Sequence, residues 1–197
     1  MKKTGLFFGS FNPIHIGHLI IANHIVEHTD LDEVWLVVTP HNPLKNKKTL
    51  LNDTQRLMMA RLALENYPKL KVSNIEFGLP QPNYTIHTLT YLQEKYPDNQ
   101  LVLIMGSDNL SGFYKWKNYE TILKYYNIYV YPRLSDKKIK EEFKNHPHIK
   151  FIQAPIIEIS ASQIRKDIAD NKNVRPLLPP EVFQYIDEMN FYKTKKN

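Results

Sequence analysis

Gly9-Ser10-Phe11-Asn12-Pro13-Ile14-His15-Ile16-Gly17-His18 decides the fold of this chain, because of what stands on either side of it. Upstream, Thr4-Gly5-Leu6-Phe7-Phe8 is short and mostly apolar, as a strand buried on both faces is; downstream, Leu19-Ile20-Ile21-Ala22 with Ile25-Val26 recurs at helical spacing. The first helix is therefore expected to begin near Gly17-His18. A helix start offers unpaired N–H groups and a partial positive charge, which favour an anion. Gly9 is expected to let the backbone approach a ligand closely and Pro13 to stiffen the loop. His15 and His18, three residues apart, are placed to point at one phosphate chain, both as donors when protonated.

Outward from this junction, strand-like runs recur at Glu33-Val34-Trp35-Leu36-Val37-Val38, Lys71-Val72-Ser73-Asn74, Leu101-Val102-Leu103-Ile104-Met105, Ile128-Tyr129-Val130-Tyr131 and Ile149-Lys150-Phe151-Ile152. Helix-like segments lie between them. Asp53 or Thr54 is a candidate cap for one carrying Leu57, Met58, Arg61 and Leu62; Thr85 opens one carrying Ile86, Leu89 and Leu92; Ser135 is a candidate cap for another running through Phe143. Such alternation predicts an α/β fold with a mostly parallel sheet covered on both faces and ligands at the carboxyl ends of its strands. The polar connection Pro40-His41-Asn42-Pro43-Leu44-Lys45-Asn46-Lys47-Lys48 is expected to overhang the site, and Gly78-Leu79-Pro80-Gln81-Pro82-Asn83 leads straight into Tyr84-Thr85.

The whole chain sets the bounds. Its 197 residues suit one domain, and 42% hydrophobic with 23% charged residues is globular composition. No stretch approaches the roughly 20 apolar residues that cross a bilayer, and Lys2-Lys3 leads into a strand rather than a signal peptide, so a cytoplasmic protein with no membrane partner is expected. The absence of cysteine removes disulfides, thiolate metal sites and cysteine nucleophiles together. A net charge of +6 fits anionic partners; a nucleotide accounts for basic residues near a site without any polymer, so nucleic acid ranks well below it. The oligomeric state is left open, a homo-oligomer included.

Two distant segments carry further chemistry. In Ile159-Ser160-Ala161-Ser162-Gln163-Ile164-Arg165, Ser160 can cap a helix running through Ala169, which leaves the helix start to phosphate. Arg165, about one turn further on, can bridge phosphate oxygens in a bidentate way that Lys cannot match. In Met105-Gly106-Ser107-Asp108-Asn109-Leu110, Gly106 permits close approach, and Asp108 either accepts ribose hydroxyls or simply caps a helix. Trp116 is compatible with a core position or with a binding wall.

His15-Ile16-Gly17-His18 reads as the H-x-G-H signature of the adenylyl- and cytidylyltransferase superfamily, and the wider string resembles its G-[ST]-F-[DN]-P-x-H-x-G-H pattern. Phe8 and Asn12 stand where members usually have a small residue and Asp. Ile159 to Arg165 resembles the I-S-[ST]-[ST]-x-I-R signature, with Ala161 replacing a hydroxyl residue. Gly106-x-Asp108 with Trp116 ten residues after Gly106, Asn83-Tyr84-Thr85-Ile86-His87-Thr88-Leu89 set against S-Y-T-x-x-T-L, and Pro43-Leu44-Lys45 as a shortened P-P-H-K loop are similar to the bacterial nicotinate mononucleotide adenylyltransferase family. The resemblance runs from Lys3 to Tyr192.

It implies a Rossmann-like, doubly wound fold in a single nucleotidyltransferase domain over residues 1–197, whose helical part from about residue 160 carries the Ile-Ser motif. It also implies adenylyl transfer from ATP to nicotinate mononucleotide, with release of pyrophosphate and no covalent enzyme intermediate. Gly9, Ser10, Phe11, His15, His18, Gly106, Asp108, Ser160 and Arg165 would then bind ATP, with His15, His18 and Arg165 as the catalytic charge stabilisers. Lys45, Tyr84, Thr85, Trp116, Lys117 and Arg133 would bind the mononucleotide. Lys117 replaces the family's usual Tyr, so its backbone role can persist while that side-chain packing cannot. Mg²⁺ would bridge ATP oxygens, held mainly by phosphate and water, with no protein metal ligand. Other acceptors within the superfamily, nicotinamide mononucleotide or phosphopantetheine, are the nearest alternatives, and a non-catalytic nucleic-acid binder is a remote one.

Overall fold

The computed structural model describes residues 1–40, 50–135 and 137–194. Among them, six strands form one all-parallel sheet: β1 (Lys2–Gly9), β2 (Glu33–Val38), β3 (Leu70–Ser73), β4 (Asn99–Gly106), β5 (Asn127–Tyr131) and β6 (Ile149–Phe151). Their order is β3-β2-β1-β4-β5-β6. The chain winds outward from β1 through β2 to β3, then crosses back to lay β4 on the other side of β1. A crevice must open beyond the carboxyl ends of β1 and β4, where the direction of winding reverses. Both strands end there in glycine, Gly9 and Gly106, each followed by a segment singled out from the sequence.

Alternation along the strands sends side chains to opposite faces. On β4, Leu101, Leu103 and Met105 pack with Leu89 and Leu92 of α3 (Thr85–Lys95) and Ile122 of α5 (Tyr119–Tyr125). Val102 and Ile104 face the other way, toward the cluster holding Ile21 and Ile25 of α1 (Ile16–His28), Met59 and Ala60 of α2 (Asp53–Leu64), Ile164 of α7 (Ala161–Ala169) and Val182 of α8 (Pro180–Glu188). A sheet covered on both faces reads as continuous apolar runs, which is why its strands were legible.

Several boundaries differ from expectation. Helix α1 begins one to two residues early, with His15 as its cap residue. Helix α2 is capped by Asn52, whose Oδ1 accepts from the Thr54 N–H at 3.0 Å; Asp53 and Thr54 lie inside the helix. Its buried face is Leu57, Met59, Ala60, Ala63 and Leu64, while Met58 and Arg61 face outward. Ser135 caps no helix: its Oγ accepts from the Lys137 N–H in a local turn, and the short α6 spans only Glu141–Lys144, after α4 (Ser107–Leu110) and α5 in chain order. Thr85 opens α3 and Ser160 caps α7 as expected, the Ser160 Oγ accepting from the Gln163 N–H. Among the described residues, no helix is long and apolar enough to cross a membrane.

Candidate active site

The crevice beyond β1 and β4 is a cavity of about 880 Å³. All the site residues expected from the sequence line it except Lys45, which lies outside the described residues, as does most of the 40–48 connection expected to overhang the site.

At the end formed by residues 9–18, Phe11 adopts φ 43°, in the left-handed region that a bulky side chain rarely enters, and buries its ring. A Cβ on Gly9 would fall 2.7 Å from that ring. Gly9 is therefore required to admit Phe11 into the core, a different reason from the close ligand approach expected of it. The His15 and His18 rings stack with centroids 3.7 Å apart, and the His15 N–H donates to His18 Nδ1 at 3.2 Å. In the neutral His18 ring this accepted bond leaves the proton on Nε2. His15 is 5% exposed, and its Nδ1 has no hydrogen-bond partner among the described residues. Burial, reinforced by the nearby Arg133 charge, pushes its pKa down to about 4. His15 is thus a neutral ring at pH 7, which narrows the expectation of two protonated donors.

Arg165 of α7 reaches across to this loop. Its Nη1 donates to the Asn12 carbonyl at 2.7 Å and its Nη2 to Ser162 Oγ at 3.2 Å, so the guanidinium fixes α7 against residues 9–18 as well as facing the cavity. Asn12 Oδ1 in turn accepts from the Tyr192 hydroxyl at 2.7 Å and the Leu51 N–H at 3.3 Å. On the other side of the crevice, Asp108 folds back over Gly106: a Cβ there would meet its Oδ1 at 2.4 Å. Asp108 lies within α4 rather than capping it, and its Oδ1 has no hydrogen-bond partner among the described residues. Arg133 donates from Nη1 to the Ile157 carbonyl at 3.3 Å, joining the end of β5 to the segment before α7.

The opposite end is aromatic. Lys117 Nζ sits 4.5 Å above the Tyr84 ring, and Trp116 packs edge-on to Phe113 at 5.3 Å while lining the cavity. Thr85 presents the start of α3 to the same space.

Two groups essential to this geometry escaped the sequence reading. Arg56 is fully buried, and its guanidinium donates to the carbonyls of Ser10, Thr39, Leu51 and Pro40 and pairs with Asp53. It locks the ends of β1 and β2 together. Glu76, 1% exposed, accepts from the Thr88 hydroxyl at 2.7 Å and lines the cavity beside Asn83. Arg56 reads as an ordinary helix-surface cation; only the flanking Ile75 and Phe77 hinted that Glu76 is internal. Among the described residues, no group of three or more His, Asp or Glu side chains is arranged to hold a metal ion.

A parallel sheet with its phosphate-type segments at the switch point defines the class of this protein, and the comparison with known families gives it a name: residues 6–167 match the cytidylyltransferase-like model, and the chain belongs to that family. Its relatives narrow the branch. The chain is 62% identical over 191 residues to the "Probable nicotinate-nucleotide adenylyltransferase" of Flavobacterium psychrophilum, covering 97% of this chain and 99% of that one. It is 60% identical over 192 residues to the protein so named in Christiangramia forsetii, with 98% and 99% covered. The fold matches that of a Plasmodium falciparum nicotinic acid mononucleotide adenylyltransferase complexed with NaAD, at TM-score 0.82 and 22% identity over 98% of both chains.

Proposed function

We propose that the protein transfers the adenylyl group of ATP to nicotinate mononucleotide, forming nicotinate adenine dinucleotide and pyrophosphate for NAD biosynthesis. The observation that carries this reading is the gathering, in one cavity, of the His15–His18 loop and the Ser160–Arg165 helix start opposite Tyr84, Thr85 and Trp116. Relatives at 60% identity and above bear the name of this activity over nearly their full length.

An oxygen of the mononucleotide 5′-phosphate attacks the α-phosphorus of ATP in line; the bond from that phosphorus to the bridging oxygen breaks, and the electron pair leaves on pyrophosphate. The nucleophile is already an anion, so no covalent enzyme intermediate is needed and catalysis reduces to positioning and charge neutralisation. Two like unit charges about 4 Å apart repel by about 4 kcal/mol at an effective dielectric of 20, and here several converge. His18 donates to the oxygens on which charge develops. His15, held neutral by its burial, offers a ring N–H to the same phosphates. Arg165, with Ser160 and the start of α7, receives the β- and γ-phosphates; Gly9, Ser10, Phe11, Gly106 and Asp108 shape the adenosine side. Tyr84, Thr85, Trp116, Lys117 and Arg133 receive the mononucleotide, and Lys45 neutralises its phosphate.

Mg²⁺ enters with the substrate as MgATP, held by phosphate oxygens and water. Residues 1–197 act as one nucleotidyltransferase domain, because α7 and the first loop serve the same phosphates. A cytoplasmic location belongs to the same proposal. The test is pyrophosphate release from ATP with a panel of acceptors. Turnover is expected with nicotinate mononucleotide, well above nicotinamide mononucleotide and phosphopantetheine. Equal efficiency for acid and amide overturns the carboxylate-tuned pocket, and salt-dependent RNA binding without pyrophosphate release overturns the enzyme.

A further inference from the structure

Glu76 occupies a junction that adenylyl transfer, as derived above, does not use. The segment before α3 must turn from the 3-10 turn Ile75–Gly78 through Asn83 to place Tyr84 and Thr85 on the cavity. One residue holds both sides of that turn. The Glu76 carbonyl accepts from Asn83 Nδ2 at 3.2 Å, immediately before Tyr84, and its Oε1 accepts from the Thr88 hydroxyl, one turn into α3. The Thr39 hydroxyl lies beside the same carboxyl without closing a regular hydrogen bond on Oε2, which has no partner among the described residues. Thr39 is itself pinned to the phosphate end: its N–H donates to the Gly9 carbonyl at 2.9 Å, and its carbonyl accepts from Arg56 at 2.9 Å. The contacts run from Gly9 and Ser10 through Arg56, Thr39 and Glu76 to Asn83 and Thr88.

We propose that Glu76 is a positioning residue for the acceptor nucleotide: its backbone carbonyl holds Asn83, and its buried carboxyl ties Thr88 of α3 to the end of β2 at Thr39, so that the Tyr84–Thr85 corner between them is fixed. This rests on the reading of Tyr84 and Thr85 as part of the mononucleotide wall. Burial raises the pKa of Glu76, against the opposing effect of the Thr88 and Thr39 hydroxyls. Glutamine keeps the shape of the side chain and an acceptor for the Thr88 hydroxyl.

Steady-state kinetics with ATP and nicotinate mononucleotide varied separately tests the proposal. Glu76→Ala keeps the backbone bond to Asn83 but leaves the buried Thr88 hydroxyl unpaired, and is expected to raise the acceptor KM about tenfold, with the ATP KM within about twofold. Glu76→Gln is expected to stay within about threefold of the parent for both substrates. Thr88→Val removes only the hydroxyl donor and keeps the shape, so it reports on the same contact should Glu76→Ala fail to fold; its acceptor KM is expected to rise about fivefold. Parallel rises of both KM values, or an unchanged acceptor KM in the variants with normal parent kinetics, overturn the positioning role. A parent protein inactive with nicotinate mononucleotide overturns instead the functional reading beneath it.

Discussion

The two ends of the cavity are organised by buried ionisable groups of opposite sign. At the phosphate end Arg56 sits beneath the loop, gathering the carbonyls of Ser10, Thr39 and Pro40; at the acceptor end Glu76 sits beneath the start of α3. A guanidinium does not lose its proton, so Arg56 is a permanent cation under the loop where anions arrive. A carboxyl in the mirror position would repel an incoming nucleotide if ionised, and burial is what moves it toward neutrality. On the proposed function, a fixed charge suits the end that takes the triphosphate, and a buried carboxyl whose pKa is raised suits the end that takes the pyridine ring. Removing each group should therefore have a different signature.

The largest effect is expected from Arg56→Ala. Four carbonyls lose their donor in a site closed to water, and about 3–5 kcal/mol of stability should go with it, or roughly 10 °C in Tm by thermal melting. A loss below about 3 °C would show that water reaches those carbonyls and that the phosphate end is not held from beneath.

His18→Ala comes next and separates chemistry from scaffold. His18 is only partly buried, so the fold should survive, while kcat should fall about 100-fold or more through loss of a donor to the developing charge. Unchanged turnover removes His18 from the mechanism.

His15 gives the comparison a pH dependence. Its folded pKa of about 4 lies below the unfolded value near 6.5, so as pH falls the unfolded chain takes up the proton first. Stability is then present in full above about pH 6.5 and is lost between there and about pH 4, by about 2–3 kcal/mol. Asp30, depressed to about 2 chiefly by its bond from Lys3, loses its contribution only below its unfolded value of 3.8. Denaturant titrations across pH should show an upper limb that His15→Gln flattens and a lower one that it leaves, the opposing gain from Glu76, whose raised pKa adds stability as pH falls, being common to both proteins. An upper limb that persists in the variant would assign it elsewhere.

How much of this was legible follows the same division. The phosphate end announced itself because glycine, proline and histidine at a strand-to-helix turn have local reasons to be there, and because Ser160 and Thr85 mark helix starts by local chemistry. The parallel sheet followed from apolar runs such as Leu101–Met105. Arg56 and Glu76 stayed hidden because their roles are wholly tertiary. Arg56 is one of many helix cations until the ends of β1 and β2 place three carbonyls around it and Leu51, ahead of its own helix, a fourth, and Glu76 is one of many acids until α3 folds Thr88 onto it. The face of α2 is ambiguous for a related reason: with Leu57, Met58, Met59 and Leu62 all apolar, periodicity alone does not choose between Met58 and Met59, and the fold buries Met59.

Lys117 offers the finest test of the acceptor end. Its ammonium stands 4.5 Å over the Tyr84 ring, and its side chain is exposed, so it acts through a high dielectric. A charge about 4 Å from a carboxylate contributes about 1 kcal/mol in a high dielectric, and the contact with the Tyr84 ring ties up a similar amount. Lys117→Met should lower the preference for the acid over the amide mononucleotide by roughly threefold, from a raised KM for the acid alone. Salt should erase the difference between parent and variant, because exposed charges are screened over about 8–10 Å at ordinary ionic strength. A preference that stays constant across variant and salt would place carboxylate recognition on the backbone at the start of α3 around Thr85, making the selectivity of the acceptor end a matter of fixed geometry rather than of an exposed charge.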